Sequence, residues 1–343
     1  MFLQNRDARV LLSLFILVFV LGCLGLNTKI ATSTPSQALP TPLISTSTST
    51  VWTAPFPTET FPPSLTPTPP PVVRRVLIVS IDGLRPDIIP LAPMPNLMAL
   101  VQNGAYSLTA QTVRPSVTLV SHSSMLVGVC PAKHGVDWND YIPERGYAIG
   151  TDLFDIASAV GLETYMFVTK NKLQQITEPG SLDRFVFVSD RDTVLAERLA
   201  AEFPPNFGVL FVHLGLVDGM GHAYGWLSQE QLSVAFRADE ALGRILADLD
   251  ARGLRNETLI IISADHGGHG TSHGSSSPED MTIPWIAAGP GIQPRALTSP
   301  VHTMDTAATA AFALGLPIPL EWDGVPVYEA FGLPVERQSL QCP

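Results

Sequence analysis

The sequence has 343 residues, 45% of them hydrophobic, and a formal net charge of −11 at pH 7. This length is enough for one large domain with a substantial hydrophobic core. The acidic balance argues against a nucleic-acid polymer as a partner, because phosphate backbones are bound by clustered Lys and Arg. It does not exclude a small anionic substrate, since bound metal ions would supply positive charge locally.

The first 26 residues have the pattern of an export signal. Two basic residues, Arg6 and Arg9, precede an almost wholly apolar run that extends to Leu26, which is the order that an export machinery reads. The tetrapeptide that ends at Cys23 resembles a bacterial lipobox, in which cleavage before the cysteine leaves a lipidated N-terminus. The run is short for a spanning helix, which needs about 20 apolar residues. We therefore favour a lipidated Cys23 over an uncleaved N-terminal membrane anchor.

Residues 27–71 are rich in Thr, Ser and Pro and contain runs such as STSTST and TPTPPP. Such a composition cannot bury a core, and its prolines stiffen the chain towards extended polyproline II. We therefore expect a disordered tether here, followed by a catalytic domain over residues 72–343. Both interpretations of the N-terminus place that domain outside the cytoplasm, tethered to the bacterial cell membrane or secreted.

Continuous apolar runs in the remainder of the chain predict strands that are buried on both faces. These runs are Val76–Ile81, Thr164–Val168, Phe185–Val188, Val209–Leu216, Leu259–Ser263 and Ile283–Ala288. The clearest segments with helical periodicity are Asp152–Val160, Asp192–Glu202 and Ser228–Ala251, the last with a capping-box start at Ser228 and Gln231. Strands that alternate with helices predict an α/β fold with a mostly parallel sheet. Because ligands bind beyond the carboxyl ends of such strands, functional residues should directly follow the apolar runs.

Carboxylates and imidazoles do follow three of these runs. They are Asp82, Asp218, His222, Asp265, His266, His269 and His273. Asp and His are ligand types that zinc prefers in proteins. Any one of them alone would more often be a helix cap or a loop residue. Their shared position after strands favours a centre that binds a pair of metal ions.

A threonine in the segment from Arg114 to His122 opens a predicted helix. We expect Thr118 to end an extended segment and to begin a helix that continues to about Val127. A hydroxyl at that position lies at the positive end of the helix dipole, among free backbone N–H groups. This environment favours an alkoxide nucleophile and a bound phosphate. Taken alone, Thr118 would more often be a simple N-cap.

The order of these motifs resembles the alkaline phosphatase superfamily, and within it the nucleotide pyrophosphatase/phosphodiesterases and related type I phosphodiesterases. In chain order the motifs are IDG, P-x-x-T-x-x-x-H, HG-x-x-x-N, D-x-x-x-H, DHG and HG. The resemblance implies an alkaline-phosphatase-like three-layer sandwich with a mostly parallel central sheet. It also implies a two-metal hydrolase, with its metal site at the carboxyl ends of the strands and Thr118 as nucleophile.

The same resemblance assigns the ligands. One zinc ion is expected on Asp218, His222 and His273. The other is expected on Asp82, Asp265, His266 and the oxygen of Thr118. His269 is the weaker alternative to His273, and Asn139 matches an amide that helps to hold a non-bridging phosphate oxygen. These ligand types would also hold Mn²⁺ or Fe²⁺.

The sequence departs from the nucleotide pyrophosphatase pattern just after the nucleophile. An aromatic residue that stacks on the nucleobase commonly stands there in that family, whereas this chain has Leu119. The difference puts a nucleotide substrate in doubt. Leu119 and Tyr224 remain candidate substrate contacts, although Tyr224 fits a packed loop at least as well. The candidate basic residues for clamping phosphate are Arg114, Lys170 and Lys172.

We expect a metal-dependent hydrolase that cleaves phosphodiester or pyrophosphate bonds in a small substrate through a phospho-threonine intermediate. The alternative enzyme is a phosphomonoesterase or phosphonate hydrolase on the same metals. An alternative of another class is a non-catalytic surface binding module, against which the intact Thr118 argues. Cys130 and Cys342 could pair in an oxidising compartment, but we favour a buried, unpaired Cys130 and a frayed C-terminal Cys342.

Overall fold

The computed structural model describes residues 73–335, residue 338 and residues 341–342. The predicted export signal, the predicted lipidation residue Cys23 and the predicted tether lie outside the described residues. Among the helices that are described, none combines the length and the apolar character needed to cross a lipid bilayer.

The centre of the fold is an eight-stranded sheet. Its strands are β1 Arg75–Ile81, β2 Ala105–Gln111, β3 Glu163–Val168, β4 Arg184–Phe187, β5 Phe207–Leu214, β6 Thr258–Ser263, β7 Thr282–Ala288 and β8 Arg295–Ala296. Their order across the sheet is β4-β3-β5-β1-β6-β7-β2-β8. β1 pairs in parallel with β5 and β6, and β3 pairs in parallel with β4 and β5. The predicted α/β fold with a mostly parallel sheet is confirmed.

The sheet differs from the prediction at one side. β7 runs antiparallel to both β6 and β2, and the sequence analysis missed β2 and β8. The sequence of β2, AYSLTAQ, mixes apolar and polar residues and is only partly buried, so it lacks a continuous apolar run. β8 has two residues, both exposed. The strand predicted over Val209–Leu216 ends at Leu214, because Leu216 already begins a helix.

The central strands carry the hydrophobic core and align the functional edge. All residues of β5 and β6 are buried, as expected for parallel strands covered by helices on both faces. Ser80 of β1 lies opposite His213 of β5 and Ser263 of β6. The carboxyl ends of these three strands therefore lie side by side, and the residues that follow them meet at one edge.

Helices cover the sheet. They are α1 Ile88–Leu91, α2 Pro95–Asn103, α3 Thr118–Val127, α4 Pro131–His134, α5 Leu153–Ser158, α6 Asp192–Ala201, α7 Leu216–Tyr224, α8 Gln229–Ala251, α9 Pro278–Met281 and α10 Asp305–Ala313. The segments predicted to be helical correspond to α5, α6 and α8. Ser228 caps α8 by accepting from the N–H of Gln231. The reciprocal bond of a capping box is missing there, because the Gln231 side chain accepts from the N–H of Leu227 instead.

Cys130 and Cys342 form a disulfide, with their Cα atoms 5.6 Å apart. The expectation of an unpaired Cys130 and a frayed Cys342 was therefore wrong. Cys130 lies just after α3, and its backbone N–H donates to Oδ2 of Asp323 at 2.9 Å. Contacts between residues far apart in sequence thus hold the C-terminal segment against the end of the helix that Thr118 begins.

Candidate metal centre

Asp82, Asp265 and His266 lie together at the carboxyl edge of the sheet. Asp82 directly follows β1, while Asp265 and His266 follow the end of β6. All three are fully buried. The Nε2 atom of His266 lies 3.2 Å from Oδ2 of Asp265 and 3.4 Å from Oδ1 of Asp82. Two neighbouring parallel strands therefore bring together the predicted ligands of one metal ion.

The third strand of this edge, β5, leads into a helix. Asp218 and His222 lie one turn apart on α7, so that both side chains are on the same face, and Nε2 of His222 is 3.4 Å from Oδ1 of Asp218. Gly83 allows α7 to approach β1. Its φ is +74°, and a Cβ atom there would lie 2.9 Å from the Cα atom of Asp218. The glycine of the IDG motif therefore allows the end of β1, which carries Asp82, to pack closely against α7, which carries Asp218.

His273, and not His269, lies beside Asp218 in this structure. The Nε2 atom of His273 is 3.4 Å from Oδ1 of Asp218. The imidazole of His269 is directed elsewhere, with Nδ1 donating to Oδ1 of Asp280 at 2.7 Å. Of the two alternatives that the sequence left open, only His273 belongs to a group of ligand atoms.

The ligand atoms of the described residues form two overlapping groups. One contains Asp218, His222 and His273, and the other contains Asp82, Asp218 and His266, with all atoms of a group within 4.8 Å of one another. Separations of 3.2–3.4 Å between these nitrogen and oxygen atoms match the edge of a zinc tetrahedron. That edge is about 3.3 Å for metal–ligand bonds of about 2.0–2.1 Å.

Several atoms of the predicted metal ligands are buried without a hydrogen-bond partner. They are Oδ1 of Asp82, Oδ1 of Asp218, Oδ2 of Asp265 and Nε2 of His266. An unsatisfied buried polar group costs about 1–3 kcal/mol, and more when it is charged. Two divalent cations, one beside each ligand group, would give these atoms the partners that they lack. The residues present therefore fit a pair of metal ions, and their types are those that zinc takes.

Each histidine of the two groups has its other ring nitrogen bonded to a backbone carbonyl at 2.8–2.9 Å. The partners are the carbonyls of Thr271, Gly267 and Ser116, for His222, His266 and His273 respectively. Because a carbonyl can only accept, Nδ1 must donate, which leaves Nε2 as the ring nitrogen that faces the carboxylates. Hydrogen bonds of this kind orient imidazoles for metal binding.

Thr118 is the first residue of α3, whose range agrees with the predicted helix. The preceding residue, Val117, has an extended backbone, so the threonine hydroxyl lies at the turn into the helix. Thr118 is almost fully buried, and its Oγ1 accepts a hydrogen bond from Nζ of Lys170 at 3.2 Å. The positive end of the helix dipole and this ammonium group both favour a negatively charged oxygen.

Lys170 connects Thr118 with both ligand groups. Its Nζ lies 2.6 Å from Oδ2 of Asp82 and 2.6 Å from Oδ2 of Asp218. Burial opposes the charge of Lys170, but the Asp82 and Asp218 carboxylates outweigh it and raise the lysine pKa. Burial likewise opposes ionisation of Asp82, yet the nearby Lys170 ammonium brings the pKa of this carboxyl well below its ordinary value. The site therefore contains a fixed cation among its carboxylates.

Asn139 and Lys172 lie beside the start of α3. Oδ1 of Asn139 accepts from the N–H of Leu119 and from Nζ of Lys172, both at 2.9 Å. The Asn139 amide oxygen is thus in use, so Nδ2 is the part of this amide that could donate to a ligand. Burial and the neighbouring Lys170 lower the pKa of Lys172.

The residues predicted to contact the substrate differ in how accessible they are in the structure. The Leu119 side chain is fully buried in the hydrophobic core, so it offers no surface to a substrate, and the prediction of a contact there is corrected. Tyr224 ends α7 and is 58% exposed. Arg114 is exposed, and among the candidate basic residues it is Lys170 that contacts Thr118.

Two buried histidines have contacts that the sequence analysis did not predict. His213 of β5 places Nε2 2.9 Å from Oδ2 of Asp82. His122 of α3 donates from Nδ1 to the carbonyl oxygen of Thr118 at 2.7 Å, and its Nε2 lies 2.8 Å from Oγ of Ser80. Burial lowers the pKa of His122 to about 4. A signal for His213 was available, because a polar residue inside an apolar strand requires a buried partner.

Comparison with known proteins identifies a family for this chain. The family described as type I phosphodiesterase / nucleotide pyrophosphatase matches residues 76–158 and 162–281. The catalytic subunit of human GPI ethanolamine phosphate transferase 2 is 29% identical over 299 residues, which are 79% of this chain and 29% of that protein. The chain spans less than half the length of the first curated relatives it matches, with 29%, 45% and 26% of their lengths covered.

Two solved structures show the same fold. An inactive murine ectonucleotide pyrophosphatase/phosphodiesterase 5, in complex with AMP, matches with a TM-score of 0.61 at 14% identity, covering 72% of this chain and 96% of that chain. A phosphonate monoester hydrolase from Silicibacter pomeroyi matches with a TM-score of 0.61 at 16% identity, covering 77% and 78%. Because the family model covers more than half of the sequence, the chain belongs to the type I phosphodiesterase / nucleotide pyrophosphatase family.

Proposed function

We propose that this chain is a metal-dependent hydrolase that cleaves phosphodiester or pyrophosphate bonds through a phospho-threonine intermediate. The observation that carries the proposal is the position of Thr118. Its hydroxyl begins α3 and contacts Lys170, which in turn contacts carboxylates of both ligand groups. Membership of the family supports phosphoester chemistry.

Asp82, Asp265 and His266, together with Thr118, would hold one ion, and Asp218, His222 and His273 would hold the other. Zn²⁺ suits these ligands best, although Mn²⁺ or Fe²⁺ would also be held. When bound, such ions lower the pKa of a coordinated hydroxyl and stabilise the charge that develops on the leaving oxygen.

Residues of the chain itself would supply the nucleophile and bind the phosphoryl group. The Thr118 hydroxyl gives its proton to solvent, and its oxygen attacks phosphorus and displaces the alcohol or phosphate, which takes a proton from solvent. Water then attacks the phospho-threonine, releases the phosphorylated product and restores the hydroxyl. The N–H of Leu119 is already bonded to Oδ1 of Asn139, so the start of α3 would favour the transferred phosphoryl group chiefly through the positive end of the helix dipole. Nδ2 of Asn139 donates to a non-bridging oxygen, and Lys170 donates to the Thr118 oxygen as its charge develops.

The metal centre is tested by elemental analysis of the purified chain. We expect about two equivalents of zinc, loss of turnover with a chelator, and recovery with added Zn²⁺ or Mn²⁺. A chain that contains no metal and gains no activity from either ion would contradict the proposal.

A second candidate function is supported by Lys172. A phosphomonoester or phosphonate carries more negative charge on its phosphoryl group than a diester does, and it requires an additional cation. The charge of Lys170 is already balanced by Asp82 and Asp218. Lys172 contacts the Asn139 side chain and main-chain carbonyl, so it stands beside the residue expected to hold a phosphate oxygen. This arrangement favours a phosphomonoesterase or phosphonate hydrolase as the alternative.

Relative rates on bis-p-nitrophenyl phosphate, p-nitrophenyl phosphate and a thymidine monophosphate nitrophenyl ester distinguish the two candidates. The leading proposal predicts faster cleavage of the diesters, and Lys172→Met should then slow diester and monoester alike. A large preference for the monoester, lost specifically in Lys172→Met, would favour the alternative. Exposed Lys133, which pairs with Asp323, provides the matched control Lys133→Met.

We also propose that the chain acts outside the cytoplasmic membrane, held by a lipid on Cys23 and by a tether over residues 27–71. The disulfide between Cys130 and Cys342 supports this location, because such bonds persist in oxidising compartments. The net charge of −11 supports a small phosphoester rather than a nucleic-acid polymer as substrate. Cys23→Ala should abolish incorporation of labelled fatty acid and release the protein from the membrane fraction. Undiminished labelling would exclude lipidation at Cys23.

A further inference from the structure

His213 is a fully buried imidazole in β5, a strand in which every residue is buried. A polar side chain there destabilises the fold unless its hydrogen-bonding atoms are satisfied. Both ring nitrogens of His213 have partners. Nε2 lies 2.9 Å from Oδ2 of Asp82, and Nδ1 lies 3.1 Å from Oγ1 of Thr169.

These partners define which ring nitrogen of His213 carries the proton. An ionised carboxylate can only accept, so Nε2 must be protonated and donate to Asp82. In a neutral imidazole Nδ1 is then the acceptor, and the Thr169 hydroxyl, 3.1 Å from Nδ1 and 3.4 Å from the His213 carbonyl oxygen, can donate to it. The arrangement differs from that in the three histidines of the ligand groups, whose Nδ1 atoms donate to backbone carbonyls.

We propose that His213 is a positioning residue for the metal centre, which together with Thr169 holds Asp82 so that its Oδ1 faces the ion. Oδ2 of Asp82 has two donors, Nε2 of His213 at 2.9 Å and Nζ of Lys170 at 2.6 Å. Oδ1 has none and is buried. Engaging one oxygen fixes the plane of the carboxylate, and the other oxygen is then presented 3.4 Å from Nε2 of His266. The inference rests on the proposed metal-dependent function.

The surroundings of His213 make its imidazole a rigid donor. It lies opposite Ser80 in the pairing of β5 with β1, the strand that Asp82 follows, and its side chain is 0% exposed whereas that of Lys170 is 22% exposed. Gly215 leaves room for the pair formed with Thr169. A Cβ atom at Gly215 would lie 2.5 Å from Oγ1 of Thr169 and 3.0 Å from Cε1 of His213.

The first test measures zinc affinity of the full chain by competition with a chromophoric chelator. In His213→Leu the donor is lost at similar volume, and we expect about 10–100-fold weaker binding of one zinc equivalent. His213→Gln keeps an N–H that reaches Asp82 and should retain most of the affinity. Thr169→Val removes the hydroxyl that lies beside Nδ1 of His213, and its loss of zinc affinity should be smaller than that of His213→Leu.

A second measurement needs neither metal nor turnover. A long-range ¹H–¹⁵N spectrum of the metal-free chain with labelled histidine reports the tautomer of each imidazole. We expect His213 to be protonated at Nε2, and Thr169→Val to weaken that preference. Thermal unfolding of each metal-free variant shows whether it still folds, so that weaker zinc binding by a folded variant can be attributed to the position of Asp82. The spectrum of the wild-type chain tests the tautomer even if His213→Leu does not fold.

The outcomes are distinguishable. Equal zinc affinity in the wild-type chain and in folded His213→Leu, or a wild-type His213 protonated only at Nδ1, would overturn the positioning role alone. A wild-type chain that binds no zinc would overturn this role together with the proposed metal centre. Weaker zinc binding in His213→Leu that is restored in His213→Gln supports it, because a purely structural role would not depend on the N–H donor.

Discussion

The ammonium group of Lys170 lies 3.2 Å from the hydroxyl oxygen of Thr118, inside the group of carboxylates that follow the central strands. The same ammonium contacts one carboxylate of each ligand group, on Asp82 and on Asp218. A cation in this position reduces the repulsion between the carboxylates. It is also placed to stabilise negative charge on the threonine oxygen during phosphoryl transfer.

Replacement of Lys170 by Met should therefore lower kcat by about 10²–10³-fold, the usual effect of removing one donor to a developing oxyanion. Without metal, the Lys170→Met protein should also melt at a lower temperature than the wild-type protein, because Asp82 and Asp218 lose their cationic partner. Steady-state kinetics and thermal unfolding measure both effects. Lys133→Met removes an exposed ion pair and should change stability by at most about 1 kcal/mol. A Lys170→Met enzyme with wild-type kcat would contradict this role.

Thr118→Ala should lower turnover by about 10³-fold or more, because the proposed nucleophile is removed. Zinc binding should persist, since the carboxylate and imidazole ligands remain in place. Turnover and metal content are measured on the same preparation, and Thr118→Ser serves as the matched variant that keeps a hydroxyl. Undiminished turnover in Thr118→Ala would remove Thr118 as the nucleophile.

Asp152 should make stability depend on pH. Burial, followed by the neighbouring Asp155 carboxylate, raises the pKa of Asp152 from 3.8 to about 7. The folded chain then holds this proton more tightly than the unfolded chain does. The resulting stabilisation is complete below pH 4 or so and is lost as the pH rises through about 7. Within that window the free energy of unfolding should fall by at most about 1.4 kcal/mol for each pH unit.

Asp152→Asn should remove this dependence and keep the cap of α5, because an amide oxygen can still accept from the N–H of Asp155. Melting temperatures of the two proteins from pH 4.5 to 8 check the prediction, and the Asn variant should gain relative to wild type as the pH rises. Asp152→Ala is the control: it also lacks the titrating carboxyl, and relative to Asp152→Asn it should lose about 1 kcal/mol at every pH because the cap is missing. Parallel pH profiles in wild type and Asp152→Asn would disprove it.

The disulfide between Cys130 and Cys342 should stabilise the domain. It joins residues 212 positions apart, and cross-links that close long loops typically contribute about 2–4 kcal/mol. Cys342→Ser should lower the melting temperature without changing kcat at 25 °C, because neither cysteine belongs to the ligand groups. A reducing agent should shift the wild-type protein in the same direction and leave Cys342→Ser unaffected. Equal melting of oxidised and reduced wild type would show that the bond contributes nothing.

Local patterns predicted the elements that carry the site. The apolar run before Asp82 and the run before Asp265 are strands in the structure, and Thr118 begins the predicted helix. These features depend on short-range physics, namely burial on both faces of a strand and the dipole at a helix start. By contrast, β2 carries no continuous apolar run, so its place in the sheet could not be read from a local pattern.

The sequence by itself determined the order and chemical type of the candidate ligands, because their motifs are short and each stands next to the strand or helix that presents it. Only the tertiary structure decided which of their atoms lack a hydrogen-bond partner and so remain available to a metal ion. Oδ2 of Asp82 is engaged by His213, a residue 131 positions away, while Oδ1 remains unpaired. The choice of His273 over His269 and the burial of Leu119 were decided in the same way. Such outcomes depend on which distant groups compete for one polar atom or one surface, and no local pattern along the chain encodes that competition.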